Sequence, residues 1–136
     1  MRPMKKTRMP RAGADIPQRR AKLRKLLKSE SLDAILVVDE ANVHYLTGFT
    51  GEDSWLLIAR EKTILISDGR FEEQIQHECP DIDMDIRWPG TGKTLSSQVS
   101  EALSAGRWKN LGIERQHLTI AQGEDLREKC PSATLR

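Results

Sequence analysis

Aromatic side chains are scarce in this chain, at 4% of 136 residues. None precedes Tyr45, so the first third offers no ring on which a nucleobase could stack. Cysteine is nearly absent. Cys79 and Cys130 give no support for a disulfide framework. Each stands just before a proline at a predicted helix end, and both read as reduced, structural thiols of a cytoplasmic protein. No apolar run approaches the ~20 residues that would cross a bilayer, so no membrane partner is expected. No apolar stretch follows the N-terminal charges, which argues against a secretory signal. An Arg/Lys-rich start could suggest a mitochondrial presequence, but it has little Ser and no clear apolar face.

What is present fits one soluble domain. Apolar residues make up 38% of the chain and charged residues 31%. A chain of this length buries roughly two-thirds of its unfolded surface, enough for one modest core. The overall charge of +2 conceals an asymmetry. Residues 1–28 carry eleven Lys/Arg against Asp15 alone, a net of +10, and the rest of the chain is −8. Residues 1–15 have Pro3, Pro10 and Gly13 and no periodicity, and they read as a disordered basic arm. Such an arm could bind nucleic acid or an anionic surface, or remain a solvated tail.

From residue 16 onward the pattern is that of alternating strands and helices. Pro17 suits a first helical turn, and Leu23, Leu26 and Leu27 give that helix, ending near Ser29, a narrow apolar face. Ala34–Val38 reads as a strand buried on both sides, and Asp39–Asn42 as a loop before a single turn at Val43–Leu46. Trp55–Ala59 and Thr63–Ser67 form a hairpin around Arg60-Glu61-Lys62. A helix over Gly69–Cys79 stops at Pro80. Ile82, Met84 and Ile86 alternate with acids, as in an edge strand with one wet face. A helix over Thr94–Leu103, a strand at Leu111–Ile113, a helix over Ile120–Lys129 and a last strand at Ala133–Leu135 complete an α/β layer fold with a mixed sheet. "Helix, Cys-Pro, strand" occurs twice, which we read as shared terminator chemistry.

Three motifs imitate chemistry. Pro89-Gly90-Thr91-Gly92-Lys93-Thr94 resembles a phosphate-binding loop. The position that should hold its first glycine is Arg87, and the preceding strand is lined with acids that would repel a triphosphate. A degenerate nucleotide-binding loop is therefore a subordinate reading, beside a plain turn with Thr94 as helix N-cap. Asp81, Asp83 and Asp85 open like a calcium loop, but Ile86 and Gly92 occupy its glycine and glutamate positions. His77-Glu78-Cys79 has no second ligand pair at zinc spacing. His44, His77 and His117 are far apart, and Ser54 and Ser67 have no nucleophile elbow. The residues assemble no catalytic site.

Four segments in order carry a family resemblance: Leu32-Asp33-Ala34-Ile35-Leu36-Val37, Asn42 through Gly51, Ser67-Asp68-Gly69-Arg70-Phe71-Glu72, and Leu111-Gly112-Ile113-Glu114. Together they resemble the N-terminal, non-catalytic domain of the creatinase/prolidase/Xaa-Pro aminopeptidase family, over about residues 18 to 130. The resemblance implies a three-layer α/β/α domain of ribonuclease-H-like topology at residues 16–136. It also implies an accessory role: shaping a substrate mouth, supporting a homodimer, and inactive alone. The implied partner is a pita-bread catalytic domain, normally in the same chain, whose ligand segments are not found here. That domain would bind two divalent metals (manganese, cobalt or zinc) and take the peptide substrate, so no cofactor is expected in this chain. By position in the family, Asp39, Glu40, Asn42, His44 and Tyr45 would face the mouth, and Asp39 and Glu40 could hold a free α-amino group. Asp68 and Arg70 could reach a partner domain, or Asp68 could simply cap the helix that follows.

Overall fold

The computed structural model describes residues 15–136. The expected basic arm lies outside the described residues, except for Asp15. Helix α1 spans Ile16–Ser29, with Pro17 in its first turn. Then come β1 (Ala34–Val37), α2 (Glu40–Thr47), β2 (Trp55–Ala59), β3 (Thr63–Asp68), a 3-10 turn at Gly69–Phe71 and α3 (Glu72–Glu78). The second half holds β4 (Asp83–Arg87), α4 (Leu95–Gly106), β5 (Asn110–Ile113), α5 (Ile120–Lys129) and β6 (Thr134–Leu135).

The six strands form one sheet in the order β4-β3-β2-β1-β5-β6. β2 pairs antiparallel with β1 and β3, and every other pairing is parallel. All strands but β2 therefore point the same way, and their carboxyl ends share one end of the sheet. Successive residues of β2 serve opposite faces. Trp55, Leu57 and Ala59 pack with Val99, Leu103 and Leu126 of α4 and α5. Leu56 and Ile58 pack with Leu27, Val43 and Ile75 of α1, α2 and α3. This is the expected α/β/α sandwich with a mixed sheet.

Several expectations hold in detail. The hairpin forms, with Trp55 opposite Ile66 and Ile58 opposite Thr63. β1 is buried on both faces as expected, with Ala34 and Leu36 in one core and Val37 in the other, and Ile35 packs partly buried against the latter. β4 is an edge strand, and its Met84 and Ile86, with Ile82 just before it, lean on the core. Thr94 caps α4, accepting from Ser97 N at 3.2 Å.

Others need correction. Asp39–Asn42 is not a loop: Asp39 is the N-cap of α2, which runs two turns to Thr47 and ends at Gly48 with φ 82°. Leu26 does not join the apolar face of α1; it is 59% exposed. The helix predicted over Gly69–Cys79 begins as a 3-10 turn and becomes α-helical only at Glu72.

The Tyr45–Gly51 stretch has a local reason for its residue types. Thr47 Oγ donates to Val43 O and accepts from Phe49 N, which turns the chain after α2. Phe49 is buried and meets Phe71 edge-on, with ring centroids 5.8 Å apart. A Cβ on Gly51 would stand 2.2 Å from the Phe49 ring, so only glycine fits there.

Candidate functional site

Two polar clusters stand at the carboxyl end of the sheet. The first joins β1, α2 and the segment after β5. Glu114 follows β5, and its Oε1 accepts from Val38 N and, at 3.0 Å, from Asp39 N. Its other oxygen accepts from Asn42 Nδ2 at 2.6 Å. The Asp39 carboxylate caps α2 by accepting from Asn42 N, and its Oδ1 lies 3.5 Å from His117 Nδ1. Parallel pairing of β1 with β5 is what brings these distant residues together.

The second cluster closes β3 and β4. Asp68, buried at the end of β3, accepts from Arg70 N at 3.0 Å and from the Arg70 guanidinium at 2.9 Å. Arg87 of β4 approaches the same carboxylate at 3.4 Å and donates to Gln98 Oε1 at 2.9 Å. Gln98 is fully buried and donates in turn to Asp85 O at 3.1 Å. The Arg70 side chain holds the Asp68 carboxyl below its ordinary range, and this outweighs the opposite push of burial. Trp88, half-exposed, lies against Gly69, where a Cβ would meet its ring at 2.6 Å. Asp68, Arg70, Arg87, Trp88 and Lys93 line a cavity of about 550 Å³.

In the segment between α2 and β2, Thr50 is fastened to α3. Its N–H and hydroxyl donate to the Glu78 carboxylate, and Gln74 Nε2 donates to both partners. Burial pushes the Glu78 carboxyl up, but the hydrogen bonds from Gln74 and Thr50 prevail and leave it lowered.

Of the residues singled out from the sequence, Asp39 and Asn42 meet in the first cluster, and Asp68 and Arg70 in the second. Glu40 is exposed in the first turn of α2, where an acid suits the helix dipole. His44 Nδ1 lies 3.1 Å from Phe49 O, on the turn after α2. The Tyr45 ring lies under the Arg19 guanidinium of α1 at 4.3 Å, and Tyr45 lines a groove with Asn42 and Glu114. Glu114, His117, Arg87 and Gln98 were not singled out as site residues. The one local hint was that Glu114 directly follows an apolar strand.

The imitative motifs have other work. Gly90 and Gly92 have φ of 86° and 70° in a turn, Thr94 is committed to capping, and Lys93 Nζ pairs with Glu101 at 3.2 Å. Asp81 binds Arg20 at 2.6 Å, and Asp83 and Asp85 lie on β4. Among the described residues, no group of three or more His, Cys, Asp or Glu is placed to hold a metal ion. The basic stretch of α1 is divided. Arg20 and Arg24 turn inward to Leu46 O, Ala59 O and Thr63, whereas Lys22, Lys25 and Lys28 stay exposed. No helix among the described residues is long and apolar enough to cross a membrane.

The family model of the creatinase/prolidase N-terminal domain matches residues 19–136. The chain belongs to this family. A Mycoplasma genitalium protein described as an Xaa-Pro aminopeptidase is 37% identical over 123 residues, covering 90% of this chain and 33% of its own length. The N-terminal domain of the cytoplasmic peptidase PepQ from Mycobacterium tuberculosis superposes with a TM-score of 0.77 at 26% identity, covering 88% of this chain and 89% of that one. An Xaa-Pro aminopeptidase structure from Streptococcus pyogenes gives 0.80 at 25% identity, with 88% of each chain covered. This creatinase/prolidase N-terminal domain spans about a third or less of the curated relatives it matches.

Proposed function

We propose that this domain is the accessory N-terminal part of an Xaa-Pro-type metallopeptidase. In this reading the carboxyl end of its sheet forms one wall of the substrate mouth. The domain supports a cytoplasmic homodimer and has no peptidase activity alone. The observation that carries the reading is how the polar groups at that end are used. Asp39, Asn42, Glu114, Asp68 and Arg87 hold one another, or the backbone, by hydrogen bonds and ion pairs. Such fixed groups suit positioning a ligand, and ligands of open α/β sheets lie beyond the carboxyl ends of the strands.

In this role Asp39 and Glu40 supply negative charge for a peptide's free α-amino group. Arg70, with its side chain 61% exposed, supplies a donor for a carbonyl or carboxylate. The two divalent metals, and the bond cleavage itself, belong to the catalytic domain. Purified 136-residue protein, assayed on an Xaa-Pro dipeptide with manganese or cobalt, should show no turnover, and sedimentation should show a dimer. Metal-dependent cleavage by this chain would refute the accessory role, and a monomer would remove its part in oligomerisation.

A further inference from the structure

A groove of about 590 Å³ lies at the opposite end of the sheet, between the carboxyl ends of α4 and α5. Its size falls in the range of small-molecule sites, which run from about 300 to 1,000 Å³. Leu103, Trp108 and Pro131 give it an apolar wall. Arg107, Lys109 and Lys129 are the charged residues that line it, and no carboxylate joins them. Among the described residues, none of these three cations forms an ion pair.

The turn that builds this groove ends α4 in a left-handed cap. Arg107 holds φ 57° and ψ 35° at the end of α4, a left-handed position where glycine is the usual choice. The preceding residue, Gly106, is also constrained: a Cβ there would stand 2.3 Å from the Trp108 ring. The ring therefore packs closely on Gly106. The negative end of α5 accounts for Lys129, one of two cations in its last turn. The left-handed turn is a helix-ending cap, in which Arg107 N donates to Ser104 O at 3.2 Å and Trp108 N to Leu103 O at 2.9 Å. The cap thereby fixes Arg107 and Trp108 side by side in the lining of the groove.

We propose that this groove binds a small anion with a flat apolar body, an aromatic carboxylate or its sulfonate or phosphate counterpart. Trp108 stacks on the ring system, and Arg107 with Lys129 holds the anionic group. The site is separate from the two clusters at the carboxyl end of the sheet and does not depend on the peptidase reading.

The test is an amide NMR titration of the whole chain with 2-naphthoate, repeated with the neutral 2-naphthamide. The acid should saturate, with shifts concentrated between Ser104 and Lys109 and between Lys129 and Ala133. The amide should bind at least about tenfold more weakly, because it lacks the charge the site reads. Arg107→Gln with Lys129→Gln should remove the acid's advantage, and the spectrum itself reports whether the variant is folded. If Arg107→Gln disturbs the turn, Lys129→Gln alone supports the same comparison. Equal binding of acid and amide would overturn the proposal. So would shifts centred on Trp88, or no saturation by about 10 mM, beyond the millimolar range of weak specific binding.

Discussion

The Asp68 carboxylate takes a backbone N–H and the guanidinium of Arg70, with Arg87 beside it. These partners, the Arg70 side chain foremost, depress its pKa. A carboxylate depressed in the folded state adds stability above its unfolded value, about 3.9, and loses it as pH falls through the lower folded value. Asp68→Ala should cost about 1–2 kcal/mol near neutral pH, the loss of a helix-start cap. Urea unfolding at several pH values should show the penalty shrinking as pH falls below about 4, where Asp68 of the unfolded chain takes up a proton, and vanishing once pH passes the lower native value. The capping role was legible, because an acid directly precedes the helix. The pairing with Arg87 was not, because it needs β4 to lie parallel to β3. Cys79 is a plainer case. Burial pushes its thiol up to about 11, so it stays protonated and inert at neutral pH, as an apolar position before a helix-ending proline suggests.

Helices α4 and α5 each begin with a threonine in a capping box, Thr94 with Ser97 and Thr119 with Gln122. Thr94→Ala should cost about 1 kcal/mol in thermal or urea unfolding. Titration of Mg-ATP should give no binding heat with either form, since Thr94 and Lys93 are engaged within the protein. A large gain or loss of nucleotide affinity would instead revive the phosphate-loop reading. Strands and long helices were readable from apolar periodicity. The short helix α2 was not, because its first residues, Asp39 to Asn42, are mostly small or polar, like a loop. Its helical start is fixed by the Asp39 cap and by Glu114, which arrives from a distant part of the chain. The 3-10 start of α3 follows a related logic, set by Asp68 capping Arg70 N.

At the scale of the whole molecule the sheet separates two cores. Leu56 and Leu57 are neighbours in sequence and both fully buried, yet they serve opposite layers. Truncating either to alanine should cost about 2–5 kcal/mol through lost contacts and a residual cavity. Each variant should still unfold in one transition by circular dichroism and by tryptophan fluorescence, because both layers share β2. Loss of one layer before the other would show that the sheet does not couple them. The sandwich also explains why function gathers at strand ends: both faces are covered, leaving the two ends open.

Local chemistry determined much of this protein by itself. Period-two and helical apolar patterns set most elements, Pro17, Pro80 and Pro131 marked where helices start or stop, and four ordered segments pointed to the family. These signals act within a few residues, so they survive in a linear reading. Tertiary structure decided which polar residues share a site. Parallel pairing of β1 with β5, and of β3 with β4, carries Glu114 to Asp39 and Arg87 to Asp68. The fold also placed the Tyr45 ring against Arg19 of α1. Such contacts depend on strand order and direction, which no local pattern encodes.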